Sequence, residues 1–125
     1  TNALGKCVLL DPRNPDYYEM LGYAYLQIKS HEDAVRVYKE IINLHPDTAE
    51  YRNSLGIAYM LTEKYIRAID QFQLAIHVEP LKPDYHLNLA KAYQQINHQQ
   101  KANQALSEYR RLDSETPDTL KLRQE

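Results

Sequence analysis

The chain has 125 residues, and 15 basic against 17 acidic residues give a net charge of −2, without the basic excess typical of nucleic-acid-binding proteins. Hydrophobic residues make up 43%, yet no run of about 18 apolar residues occurs, so the sequence predicts no membrane insertion in this segment. Three glycines and one cysteine exclude a glycine-rich phosphate loop, an internal disulfide and a cysteine-based zinc cluster.

The sequence repeats with an offset of 34 residues. Five columns hold the same residue in three successive copies, at Tyr17/Tyr51/Tyr85, Leu21/Leu55/Leu89, Ala24/Ala58/Ala92, Tyr25/Tyr59/Tyr93 and Ala34/Ala68/Ala102. Gly22 and Gly56 also align, with Ala90 in the third copy, and the small residues of this column and of the Ala34 column would let paired helices approach closely. A fixed period of this length is the signature of a protein built from stacked repeats. The two tyrosine columns account for six of the eleven tyrosines.

In chain order, residues 1–14 come first and read as the C-terminal part of a preceding repeat, because Leu4, Cys7, Leu10 and Pro12 match the register of later copies. Three full copies follow, at 15–48, 49–82 and 83–116, and each contains two stretches with apolar residues at helical spacing. Residues 117–125 are predicted to form a capping helix or tail, since the end of a stacked array needs a polar cover.

Prolines mark the expected helix boundaries. Pro15 and Pro83 suit the first helical turn, whereas Pro46 and Pro80 end the second helix of their copies. Asn97 suits a left-handed turn between two helices, and Lys29 and Glu63 suit the same turn less well. No alternating apolar stretch competes, so the chain is predicted to be all-α.

The recurring residues resemble the tetratricopeptide repeat (TPR) family over residues 15–116. The pattern is carried by Leu21, Gly22, Ala24, Tyr25, Ala34, Tyr38 and Pro46 and by their counterparts one and two periods later. The resemblance implies a right-handed α-solenoid of antiparallel helix pairs that acts as a non-enzymatic protein–protein interaction module. Arg52 and His86 depart from the pattern by replacing an aromatic residue, and Ser114 replaces the final proline.

The resemblance also implies a concave groove lined by the first helix of each copy, in which an extended peptide or a partner helix would bind. Amides at Asn53 and Asn88 could pair with a peptide backbone, because an amide both donates and accepts hydrogen bonds. Apolar side chains such as Tyr23 and Leu61 could hold those of the partner. The predicted binding residues are Met20, Tyr23, Gln27, Asn53, Ser54, Ile57, Met60, Leu61, Asn88, Lys91 and Gln95.

Other features of the sequence narrow the possible partners. The clamp that some family members use for the carboxylate-ended tails of chaperones is not supported, because Glu19 and Tyr23 replace its lysine and asparagine. Residues 15–48 carry six acids and three bases, a net charge of −3, whereas the other two copies are neutral. An acidic first copy fits either a solvated helix face, which is the more common case, or a preference for a basic partner.

Catalysis and cofactor binding have no signature in the sequence. No two histidines share the i, i+4 spacing of a helical metal pair, and no nucleophile or nucleotide-binding motif occurs. Cys7 is predicted to be a small buried hydrophobe. We therefore expect no cofactor, no metal and no enzymatic activity, and the single cysteine is compatible with a cytoplasmic protein.

Two alternatives to groove binding remain open at this point. One is a structural scaffold unit that self-associates through exposed repeat ends, with apolar residues at Leu4, Cys7 and Val8. The other is a regulatory or substrate-recruiting domain of a longer enzyme.

Overall fold

The computed structural model describes residues 14–114, which form six α-helices and contain no strand. The helices are α1 (Pro15–Gln27), α2 (His31–Leu44), α3 (Ala49–Leu61), α4 (Tyr65–Val78), α5 (Pro83–Gln95) and α6 (Gln99–Ser114). The prediction of an all-α fold is confirmed. The interpretations of residues 1–13 and 115–125, including those of Cys7 and the capping helix, lie outside the described residues.

The six helices form a superhelix of stacked pairs, α1–α2, α3–α4 and α5–α6. Each helix packs against the helix that follows it in the chain, and α3 also contacts α5 in the next pair. Neighbouring pairs thus bury the apolar faces that one pair alone would leave in water.

The helices begin and end where the prolines predict. Pro15 and Pro83 are the first residues of α1 and α5. The Asn14 side chain accepts a hydrogen bond from the backbone N–H of Asp16 at 3.0 Å, which caps the start of α1. The second helices of the first two pairs end at Leu44 and Val78, two residues before Pro46 and Pro80.

The turn inside each helix pair has the same left-handed residue in all three copies. Lys29, Glu63 and Asn97 have φ angles of 62°, 61° and 60°. In each turn the next backbone N–H donates to the carbonyl of the recurring tyrosine, at 2.8 Å for Ser30–Tyr25, 2.9 Å for Lys64–Tyr59 and 3.0 Å for His98–Tyr93. This bond closes a Schellman motif at the end of the helix, so Lys29 and Glu63 adopt a conformation that suits Asn97 better.

Small residues allow the two helices of a pair to approach closely. A methyl group at Gly22 would lie 2.7 Å from Cζ of Tyr38, and one at Gly56 would lie 2.7 Å from Cδ1 of Phe72. Ala34, Ala68 and Ala102 are fully buried between the helices. The sequence prediction that these columns exist for close packing is therefore confirmed.

Arg52 and His86, which replace an aromatic residue of the family pattern, occupy equivalent positions and make equivalent contacts. The Arg52 guanidinium donates to the carbonyl of Pro46 at 3.2 Å, and Nε2 of His86 lies 2.8 Å from the carbonyl of Pro80. Each side chain therefore ties the start of its helix to the proline that ended the previous pair.

Candidate binding face

The eleven predicted binding residues lie on α1, α3 and α5, the first helices of the three pairs. We call these eleven residues the candidate face. Its members recur at spacings of three, four and seven along each helix, which place them on one side of that helix. None of the eleven is buried, so each presents atoms to solvent.

The apolar side chains of the candidate face differ in what they contact. Met20, Tyr23 and Leu61 are 54%, 62% and 49% exposed. Ile57 and Met60 are only half-buried, and they pack against the main core cluster. The first three side chains are therefore available to a partner, whereas Ile57 and Met60 also support the fold.

Asn53 and Asn88 of the candidate face bind each other. Nδ2 of Asn88 donates to Oδ1 of Asn53 at 2.8 Å, across the contact between α3 and α5. Each amide keeps unused hydrogen-bonding capacity, with donors on Asn53 Nδ2 and an acceptor on Asn88 Oδ1. The pair therefore offers one donor group and one acceptor group side by side, as a peptide backbone requires.

The remaining members of the candidate face are polar. Gln27, Lys91 and Gln95 are exposed, and Ser54 is half-buried. Lys91 forms no ion pair with any residue of 14–114. These side chains form a polar margin beside the apolar and amide groups.

A cluster of negative charge lies at one end of the candidate face, and the sequence analysis did not include it among the binding residues. Burial raises the pKa of the Glu19 carboxyl above its usual value, and the charges of Glu50 and Asp16 raise it further. We call Asp16, Glu19 and Glu50 the acidic cluster. The sequence carried a signal for this cluster in its spacing, because Asp16 and Glu19 precede Tyr23 by seven and four residues and Glu50 precedes Ile57 by seven.

Tyrosine hydroxyls beside this charge resist ionisation. Burial, reinforced by the charge of Glu19, raises the pKa of Tyr38 to about 12. Burial and the charges of Glu19, Glu50 and Asp16 also raise the pKa of Tyr51. Burial and the charges of Glu79 and Glu50 raise the pKa of Tyr85 to about 12. These hydroxyls stay neutral at physiological pH and therefore add no further negative charge beside the acidic cluster.

Neither a metal site nor a membrane span is found within residues 14–114. No group of three or more His, Cys, Asp or Glu side chains is arranged to hold a metal ion. No helix in this part of the chain is long and apolar enough to cross a membrane.

Comparison with known protein families identifies the repeat. A family model described as tetratricopeptide repeat matches residues 2–47 and 20–86, which together span more than half of the chain. The chain belongs to the tetratricopeptide repeat family. A search of curated proteins gives no match. TPR proteins bind other proteins, and their repeats are generally non-catalytic, so this chain contains a protein-interaction or scaffold module.

Solved structures of MamA share the fold of this TPR chain. One crystal structure of MamA is 27% identical, with a TM-score of 0.83 over 89% of this chain and 65% of the MamA chain. A second MamA crystal structure is also 27% identical, with a TM-score of 0.82 over 90% of this chain and 61% of that one. MamA from residue 41 to its end, from Desulfovibrio magneticus RS-1, is 22% identical, with a TM-score of 0.84 over 90% and 63% of the respective chains. The TPR chain thus spans less than two thirds of the solved chains it matches.

Proposed function

We propose that the candidate face binds an extended peptide or a helix of a partner protein. The observation that carries this proposal is the exposure of Met20, Tyr23 and Leu61 on the same helix faces as the Asn53–Asn88 pair. Large apolar side chains that remain exposed beside one another on a folded domain are characteristic of interaction sites, and Met20 and Tyr23 are neighbours one turn apart on α1.

The chemistry of this face suits a peptide better than a small molecule. Apolar side chains of a partner would cover Tyr23 and Met20, and its backbone would donate to Asn88 and accept from Asn53. Because the helices are fixed by packing between pairs, the groove would be formed before the partner arrives, and only the partner would lose conformational freedom.

A displayed library of random peptides tests this proposal. The wild-type protein is immobilised beside two double variants, Tyr23→Ala with Asn53→Ala on the candidate face and Arg67→Ala with Asp70→Asn on exposed positions of α4. We expect the wild type and the α4 variant to enrich the same peptides, and the face variant to lose that enrichment. Circular dichroism checks that all three proteins keep equal helicity. Enrichment that is unchanged by the face variant would contradict the proposal.

Self-association is the second candidate function, and one observation favours it. Leu74, Val78 and Leu81 are exposed along the second pair, on and just after α4. At the positions equivalent to Leu74 and Leu81, the first copy has Glu40 and Asp47. The second copy therefore has apolar side chains at two positions where the first copy is charged, on either side of Val78, whose equivalent in the first copy is the apolar Leu44.

Light scattering at rising protein concentration tests self-association. Leu74→Glu with Leu81→Asp gives the second copy the side chains of the first, and it should abolish any dimer while leaving the helices intact. A wild-type protein that stays monomeric at the highest concentration would remove this candidate.

A further inference from the structure

Of the three carboxylates in the acidic cluster, Glu19 lies where the helix dipole does not account for a negative charge. Asp16 and Glu50 are the second residues of α1 and α3, where the helix dipole favours a carboxylate. Glu19 lies beyond the first turn, where the dipole has little effect. The equivalent residues of the second and third copies are Asn53 and Leu87, so only the first copy places a charge there.

No cation of the described chain neutralises the acidic cluster. The ion pairs within residues 14–114 are Arg36–Asp33 and Arg111–Glu108, and neither includes Asp16, Glu19 or Glu50. Two cations of the neighbouring helices have other partners, because Arg52 donates to the Pro46 carbonyl and Lys39 lies 5.9 Å from the centre of the Tyr59 ring. The raised pKa of Glu19 has the same origin, since neighbouring carboxylates and burial both oppose its ionisation.

The acidic cluster and the exposed apolar side chains are neighbours on α1. Glu19 is adjacent to Met20 in sequence, and Tyr23 is one turn further along the same helix, about 6 Å away along its axis. A ligand whose apolar side chain covers Tyr23 therefore brings the next few of its residues to Glu19. Cationic residues in that part of the ligand would gain an opposite charge, and acidic ones would be repelled.

We propose that the partner of the candidate face is a basic peptide segment, in which bulky apolar residues contact Met20 and Tyr23 and flanking Lys or Arg side chains pair with Asp16, Glu19 and Glu50. This inference rests on the proposed function, because it names the chemical class of the ligand for the same face. It makes the junction between the first two copies the source of specificity, since Asp16 and Glu19 lie on α1 and Glu50 lies on α3.

Two labelled synthetic peptides test the charge requirement directly. Both contain the same leucines and one phenylalanine, and they differ in having either lysines or glutamines beside these residues. Fluorescence polarisation should show that the lysine peptide binds about tenfold more tightly at ~0.15 M salt. The difference should shrink at ~1 M salt, where charges are screened within about 3 Å.

Matched variants show which carboxylates of the protein attract the lysine peptide. Glu19→Gln with Glu50→Gln should weaken the lysine peptide about three- to tenfold and leave the glutamine peptide unchanged. Glu32→Gln with Glu40→Gln removes the same net charge from exposed positions on α2, and this control should bind both peptides as the wild type does. Glu19→Gln should also raise the melting temperature slightly, because it relieves repulsion within the cluster.

The outcomes separate this inference from the proposed function beneath it. If both peptides bind equally and Tyr23→Ala weakens both, the basic partner is refuted and groove binding stands. Equal losses in the test and control variants would also refute it, since net charge alone would then account for the effect. If Tyr23→Ala changes neither peptide's affinity, groove binding itself fails.

Discussion

The second and third helix pairs solve the same packing problem with different residues. In the second pair Gly56 faces the ring of Phe72, which is fully buried. At the equivalent positions the third pair has Ala90, also fully buried, and the smaller side chain of Leu106. Compared with the second pair, the third pair thus has a larger residue on its first helix and a smaller one on its second helix. The comparison teaches that the repeat fixes a sum of volumes between its two helices, and that neither residue is required alone.

The largest effect on stability is expected from Gly56→Ala, which gives the second pair one of the two residues that distinguish the third pair. The added methyl group would lie within 2.7 Å of Cδ1 of the fully buried Phe72 ring, so the ring or its helix would have to shift. We expect a loss of about 1–3 kcal/mol in the free energy of unfolding, after a gain of helix propensity of up to about 1 kcal/mol is taken into account. Urea denaturation measures the change.

A double-mutant cycle then completes the exchange. Gly56→Ala with Phe72→Leu reproduces the residues of the third pair. The double variant should therefore lose less free energy of unfolding than the two single variants lose together, by about 1 kcal/mol or more. Strictly additive losses would show that the two pairs are not governed by one shared volume.

A smaller effect is expected from the contact that Arg52 and His86 share. His86 is buried and lies 2.8 Å from the Pro80 carbonyl, whereas Arg52 is more exposed and donates to Pro46 at 3.2 Å. His86→Ala should therefore cost about 1–2 kcal/mol, because it leaves the carbonyl unpaired and opens a small cavity. Arg52→Ala should cost about 0.5 kcal/mol. Equal losses by thermal denaturation would contradict the assigned difference in burial.

The 34-residue period made most of the fold predictable, because each column repeats one packing role. The sequence predicted close helix contacts at Gly22, Gly56 and Ala90, and its prolines predicted the ends of α2 and α4. The left-handed turns at Lys29 and Glu63 were harder to predict, since neither residue type favours positive φ. The two backbone hydrogen bonds of the Schellman motif impose that conformation, and the preferences of Lys and Glu do not reveal them.

The candidate face was less predictable from its residues. Helical spacing indicated that Asn53 and Asn88 share a surface, yet their mutual hydrogen bond depends on the relative positions of α3 and α5. The influence of Glu50 on Glu19 likewise crosses from one helix pair to the next. Such contacts depend on how the pairs stack, which a one-dimensional period does not specify.

A pH-dependent prediction compares the first pair with the second, because Tyr38 occupies the position of Phe72. The folded protein raises the pKa of Tyr38 to about 12, so the unfolded chain loses this proton first, near pH 10. The contribution of Tyr38 is complete below about pH 10 and is lost as the pH rises toward 12. Between about pH 9 and pH 11 the wild type should lose roughly 1 kcal/mol more stability than Tyr38→Phe. Parallel losses in urea denaturation would show that Tyr38 does not titrate differently in the folded state.

The smallest effect compares the turns of the second and third pairs. Glu63 holds a φ of 61°, a conformation that costs most L-residues about 1 kcal/mol, whereas Asn97 tolerates the same angle at lower cost. Glu63→Gly should therefore stabilise the protein by about 0.5–1 kcal/mol, because glycine adopts this angle without a Cβ clash and its greater freedom in the unfolded chain offsets only part of the gain. Asn97→Gly should change stability by less than about 0.5 kcal/mol. Thermal denaturation of both variants measures the difference, and a larger gain at Asn97 than at Glu63 would contradict it.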